Sequence, residues 1–113
     1  MDTRNRIRRW ERWHFINNSS KTCTYCGAQG DRDGVRDQPW QIDHVVPVRR
    51  GGQAHDPGNL ALACHLCNAL KRDRLISELP AYFTDLRARG FYREHGAHID
   101  LMLTTLGLPD AER

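Results

Sequence analysis

Long apolar runs are missing from this sequence. No stretch approaches the ~18 residues that a membrane-spanning helix needs, and the arginine-rich start is not followed by the apolar segment of a secretion signal. The expectation is an intracellular protein with no membrane association. Apolar residues are a little scarce, 39% of 113 residues against 27% charged; counted with glycine and without tyrosine they come to about 44%, just under the roughly 45–50% of an ordinary globular chain. A core built from so little is thin, and a chain of this length has room for about one domain. Small thin-cored chains commonly recruit a metal or disulfides. Lysine is nearly absent: 15 of the 17 basic residues are arginine, which fits bidentate phosphate contacts but is equally explained by a GC-rich genome. There is no internal repeat and no low-complexity segment.

Charge is present, and it is unevenly placed. Residues 1–12 hold five arginines against Asp2 and Glu11, a net of +3. Residues 13–74 hold eight basic and six acidic side chains, a net of +2. Residues 75–113 hold four basic and six acidic, a net of −2. The basic excess therefore lies in the front two thirds, where a polyanion would be met. A solvated basic helix accounts for the same charges when they are taken alone.

Residues 4–16 combine helix formers with Ile7, Trp10 and His14 at helical spacing and predict a basic helix. The run Asn17, Asn18, Ser19 and Ser20 is a polar stop. Residues 40–46 (WQIDHVV), between Pro39 and Pro47, predict a strand. Residues 60–63 form a second short apolar run, and 65 to about 75 read as helix. Two further helices follow, 80–89 with Gly90 as stop, and 95 or 97 to 106 with Gly107 after it. Ile99, Met102, Leu103 and Leu106 share one face of the last helix, for core packing in preference to a dimer surface.

The four cysteines form two C-x-x-C units, Cys23/Cys26 and Cys64/Cys67, separated by 37 residues. Two thiolates offered from each tight knuckle make the ligand set of a tetrahedral structural zinc. Two disulfides are the rival use of four cysteines. The lack of a secretion signal and the adjacent pairing favour metal. A closed four-thiolate site has no open coordination position, so such a zinc does not catalyse. The separation exceeds the ~15–20 residues of a simple zinc ribbon. Chemistry is therefore to be sought in the insert.

That insert reads Gln41-Ile-Asp-His-Val-Val-Pro47, then Gly51-Gly52, Asn59-Leu60, Cys64-His-Leu-Cys-Asn68 and Lys71. In this order the pieces D-H-x-x-P, G-G, N-L and C-x-x-C-N-x-x-K resemble an HNH endonuclease domain set between two zinc knuckles, over about residues 22–74. The resemblance implies an α+β fold: a ββα-metal core, a two-stranded hairpin followed by a helix, with one divalent metal held against DNA. It makes Asp43 the acidic metal ligand, His44 the general base and Asn59 the residue that orients the base through hydrogen bonds around the loop. Where the motif often ends in histidine, this chain has Asn68, which becomes an oxygen ligand to the metal. Lys71 falls on a basic position of the family helix and implies a phosphate contact.

The chemistry asks for these residue types on its own account. Hydrolysis of a phosphodiester near neutral pH needs a base able to take a proton from water, and histidine, with an ordinary pKa of ~6.5, suits that. It also needs a cation against the oxygens on which charge develops. An Asp/Asn oxygen pair is hard and favours Mg²⁺ or Mn²⁺. One conflict is visible: adjacent residues of a regular strand face opposite ways, so Asp43 and His44 share a site only if the strand ends or twists near Val45–Pro47.

Other residues are ambiguous. Arg49 and Arg50 follow the motif, and Arg6 and Arg9 lie on the basic helix; all four are candidate DNA contacts. His55 could touch metal, phosphate or solvent, and His65 reads as a helix-start residue. His14, His95 and His98 read as structural or exposed. Trp10 and Trp13 read as packing against the zinc knuckle in preference to stacking on DNA. The expectation is a single domain over 1–113 with its basic helix at 4–16 and a helical extension at 76–113. Its implied activity is metal-dependent cleavage of double-stranded DNA, as a monomer that nicks or a homodimer that cuts both strands. A non-catalytic zinc-stabilised nucleic-acid-binding module is the alternative, and an RNA-directed nuclease a weaker third. Small standalone domains of this kind resemble phage, mobile-element or host-defence nucleases, and the expected location is the cytoplasm of a bacterium.

Overall fold

The computed structural model describes residues 6–109, apart from the side chains at 92–94. Helix α1 covers Arg9–Asn17. Its start is set by Glu11, whose Oε1 accepts the backbone N–H of Arg8 at 3.1 Å and so satisfies a donor that the first turn leaves open. The helix thus begins later than the expected 4–16, of which residues 4 and 5 lie outside the described ones. Its polar stop acts as anticipated. Asn18 donates to the His14 carbonyl from both its backbone and its side-chain nitrogen, at 3.1 and 2.9 Å.

Strand β1 (Gln41–His44) pairs antiparallel with β2 (Leu60–Ala63), Gln41 opposite Ala63 and His44 opposite Leu60. The expected strand 40–46 is trimmed at both ends for different reasons. Trp40 is turned inward, 1% exposed, with its Nε1 donating to the Asp31 carbonyl at 2.6 Å. At the other end Val45 still donates to the Asn59 carbonyl at 2.9 Å. Val46, however, finds the side-chain amide of Asn59 in place of a main-chain partner.

From β2 the chain runs straight into α2 (His65–Lys71) through Cys64, whose Sγ accepts the Cys67 N–H at 3.4 Å and caps the helix. The expected helix from 65 to about 75 stops at Lys71, because Arg72 takes φ +48° and ψ −125°. A short 3₁₀ turn, Ile76–Glu78, leads into α3 (Leu79–Ala88) and then α4 (Tyr92–Leu106). The last helix starts earlier than the expected 95 or 97. Both helices end in the same way. Phe91 N–H reaches Leu86 O and Gly90 N–H reaches Arg87 O, and Leu108 and Gly107 repeat the pattern on Leu103 and Thr104. Gly90 (φ +85°) and Gly107 (φ +66°) supply the left-handed residue that this closure requires.

Tyr25, Trp40 and the four cysteines form one buried cluster with Leu79 and Phe83 of α3 and Ile99, Met102 and Leu103 of α4. The apolar face of α4 is therefore core packing, with Leu106 partly buried beside it. The expectation for Trp10 and Trp13 is overturned: they are 63% and 68% exposed. α1 turns Ile16 inward instead, and the knuckle is filled by Trp40 and Tyr25.

Candidate functional site

The two C-x-x-C knuckles come together although 37 residues separate them in sequence. The four Sγ atoms of Cys23, Cys26, Cys64 and Cys67 all lie within 4.8 Å of one another, and all four residues are buried. Every cysteine is a free thiol. The Cys26–Cys64 Sγ separation of 3.8 Å is far beyond a disulfide's ~2.05 Å. It equals the edge of a tetrahedron with metal–sulfur bonds of ~2.3 Å, so the cluster fits a structural zinc. Thiol electrostatics point the same way. Hydrogen bonds from Cys64 and Cys67 hold the Cys23 thiol far below its ordinary range. Burial pushes Cys26 up to about 11, and hydrogen bonding with Cys23 and Cys64 drives Cys67 far up. Four thiolates cannot share this space without a cation among them.

The knuckle also reaches the insert. Tyr25, between Cys23 and Cys26, donates its hydroxyl to Asp43 Oδ2 at 2.5 Å. Burial, followed by the charge of Asp43, pushes the Tyr25 phenol far above its usual range, so it stays a protonated donor. Lys71 Nζ lies 2.9 Å from the same Oδ2, 3.1 Å from the His44 carbonyl and 5.7 Å from the centre of the Tyr25 ring. The expected phosphate contact at Lys71 needs correction: its side chain is 0% exposed and its ammonium is used internally, as the counter-charge of a buried carboxylate. Asp43 is thereby fixed through one oxygen, and Oδ1 is left clear of these two bonds.

His44 is the last residue of β1, and the strand end resolves the conflict over facing: Asp43 and His44 line one cleft. His44 Nε2 lies 2.9 Å from the Ala54 carbonyl. A carbonyl only accepts, so Nε2 carries the proton and the neutral ring keeps its lone pair on Nδ1. No partner among the described residues bonds Nδ1. This is the tautomer of a base held in place from behind.

Asn59 is the clasp of the loop that delivers Ala54. Its Oδ1 accepts Val46 N–H at 2.8 Å, and its Nδ2 donates to Val46 O and to Gln53 O, each at 2.9 Å. Gly52 is pressed against that clasp. A Cβ there would stand 1.8 Å from Val46 O and 2.8 Å from Asn59 Nδ2, while one on the neighbouring Gly51 would meet nothing within 4 Å. We expect Gly52→Ala to lower the melting temperature by about 4 °C or more, the signature of an overpacking cost of ~1–3 kcal/mol. A melting curve that matches the wild type would show that the loop can move aside.

The cleft, about 900 Å³, is lined by Asp43 and His44 together with Asn68, Arg49, Arg72 and Asp73. Asn68 stands on α2 with its amide in no hydrogen bond among the described residues, so its oxygen is available. Asp43 and Asn68 thus offer hard oxygen donors on the same cleft as the His44 ring, a donor set of the kind that hard divalent cations take. The basic candidates divide. Arg49 pairs with Asp73 at 3.1 Å, and Arg50 is bidentate on Glu78 at 2.9 and 3.1 Å. Arg6 and Arg9 are exposed near α1, away from the lining of the cleft. His55 does not line the cleft; it bonds Glu11 of α1 at 2.9 Å and ties the loop to that helix. His65 is exposed at the start of α2.

Three contributors, Tyr25, Ala54 and Arg72, are not marked by the sequence reading. Tyr25 and Ala54 act through a hydroxyl and a carbonyl that no motif marks. Arg72 was hidden beside the more familiar Lys71. His98 of α4, expected to be structural or exposed, is the former: it is buried, with Nε2 3.0 Å from Cys67 Sγ. It brings the helical extension directly onto the thiolate cluster, and burial keeps its imidazole below the ordinary histidine range.

Residues 23–74 match the family model of the HNH endonucleases. A search of curated proteins and a search of solved structures each return no match.

Proposed function

With residues 23–74 a segment of the HNH endonuclease family, a family of nucleases, we propose that the chain, working as a single domain, is a metal-dependent endonuclease that hydrolyses phosphodiester bonds of double-stranded DNA. The observation that carries this is the convergence of Asp43, His44 and Asn68 on one cleft, with the Ala54 carbonyl selecting the basic tautomer of His44.

His44 Nδ1 accepts a proton from the attacking water. Asp43 and Asn68 hold a divalent cation, Mg²⁺ or Mn²⁺, which when bound offsets the negative charge that develops on the phosphate oxygens. Tyr25 and Lys71 keep the Asp43 carboxylate oriented. Asn59 holds the loop whose carbonyl fixes the base. The zinc among the four cysteines is structural. Arg6 and Arg9 contribute basic surface for the DNA backbone, and Arg49 does so at the cleft. One such site cuts one strand, so a monomer nicks and a homodimer makes a double-strand break. No helix among the described residues is long and apolar enough to cross a membrane, and the proposed site of action is the cytoplasm.

Supercoiled plasmid incubated with the protein in EDTA, Mg²⁺ or Mn²⁺ tests the reading. Nicked or linear product is expected only with a divalent cation. A protein that binds the plasmid and never cuts it under any cation would be the zinc-stabilised binding module instead, and cutting confined to RNA would reassign the substrate.

A further inference from the structure

Lys71 and Arg50 lie outside the lining of the cleft and are paired with Asp43 and Glu78, while Arg49, on the lining, shares an exposed ion pair with Asp73. Arg72 also lines the cleft, is exposed, and its guanidinium has no hydrogen bond or ion pair among the described residues. It is held there at a conformational cost. Lys71 O accepts Arg74 N–H at 3.0 Å, closing a four-residue turn. Arg72, at φ +48° and ψ −125°, occupies the first central position. Those angles are those of a type II′ turn, whose first central residue is ordinarily glycine. The left-handed helical well lies elsewhere, near ψ +47°.

A strained residue persists where its surroundings over-determine it, and both flanks of this turn are pinned. Lys71 is anchored on Asp43, and the Arg74 guanidinium lies over the Tyr82 ring, 3.3 Å from its centre. Of the four non-glycine residues with positive φ among the described ones (Lys21, Arg36, Asp37 and Arg72), Arg72 is the one that lines the cleft. A glycine would relax the turn and would remove the cation that, among the described residues lining the cleft, has no ion pair.

Resting on the nuclease reading, we propose that Arg72 is the phosphate-binding residue of the site, gripping the scissile phosphate by paired N–H donors where Lys71 cannot reach it. Arginine suits this role because its planar fork meets two phosphate oxygens at once. The strain is retained because the side chain at this position is needed in the cleft.

The proposal sets stability and activity in opposition, which separates it from a structural role. Arg72→Gly is expected to melt at or above the wild-type temperature, while plasmid cutting falls by about 10²-fold or more, the usual loss on removing one charge-stabilising donor. Its DNA affinity, measured in EDTA, is expected to show a log–log salt slope shallower by about one contact. Arg72→Lys keeps the charge and the slope and recovers only part of the cutting. Wild-type cutting and salt slope in Arg72→Gly would overturn the proposal. So would a melting temperature that drops in proportion to the lost activity, since the residue would then serve the fold. If the wild type never cuts, the nuclease reading fails by itself, and the salt slope still decides whether Arg72 meets phosphate.

Discussion

Cys23→Ser is expected to leave the chain unfolded at room temperature, and stripping the metal from the wild type with a strong chelator is expected to do the same. The apparent binding energy of a four-thiolate zinc is ~10–16 kcal/mol, whereas a whole domain is stable by only ~5–15 kcal/mol. Here the core is thin, and the four-cysteine cluster that fits the metal sits inside it: Cys23, Cys26, Cys64 and Cys67 are buried with Tyr25, Trp40, Phe83 and Met102. The knuckles are also the joints of the molecule. Cys64 both caps α2 and donates its N–H to Cys23 Sγ at 3.3 Å, so one thiolate ties the first knuckle to the end of β2. Removing a ligand leaves three buried thiols around an incomplete site and frees the turn that carries Tyr25 to Asp43. Circular dichroism melts with zinc quantified on the same sample read the outcome. A cooperative wild-type melt in Cys23→Ser, or in the chelated protein, would remove zinc from the account of stability.

How much of this was legible in the residues alone depends on how local the relation is. The knuckles, the strand at Ile42 and Asp43 and the stop at Gly90 are written in short patterns, because each answers to a turn, an alternation or a cap within a few residues; the place of Asn59 came through the resemblance alone, since its partner Val46 lies 13 positions away. Lys71 eludes a local reading because its partner, Asp43, is 28 positions away and on another element. A lysine after a motif looks solvent-facing until the buried carboxylate beside it is known. Arg72 was invisible for the opposite reason: its message is a backbone angle, and composition offers no sign that an arginine stands where glycine is favoured. Trp10 and Trp13 have helical spacing that suits burial, yet α1 rests on the body through Ile16 and through Arg12, whose guanidinium donates to the Trp40 carbonyl. Spacing identifies a face of a helix, and which face is covered is settled by the rest of the fold.

His44→Ala is expected to bind plasmid as the wild type does and to cut it ~10²–10⁴-fold more slowly, the contribution of a positioned general base. The substitution is mild for the fold. The ring is half-buried at the end of β1 and makes one hydrogen bond, to the Ala54 carbonyl, on a loop that Asn59 already clasps through three others. The His44 main-chain carbonyl, which holds Lys71, is untouched by the change. On the proposed reading Asp43, Asn68 and the cation they would hold remain, and what is lost is the group proposed to take a proton from water. Cutting should then recover in part as the pH is raised, because hydroxide replaces the missing base, whereas a variant crippled in metal or DNA binding would gain nothing from that change. Equal cutting by His44→Ala and wild type at neutral pH would take the base role away from His44 and reduce the Ala54 hydrogen bond to a loop contact.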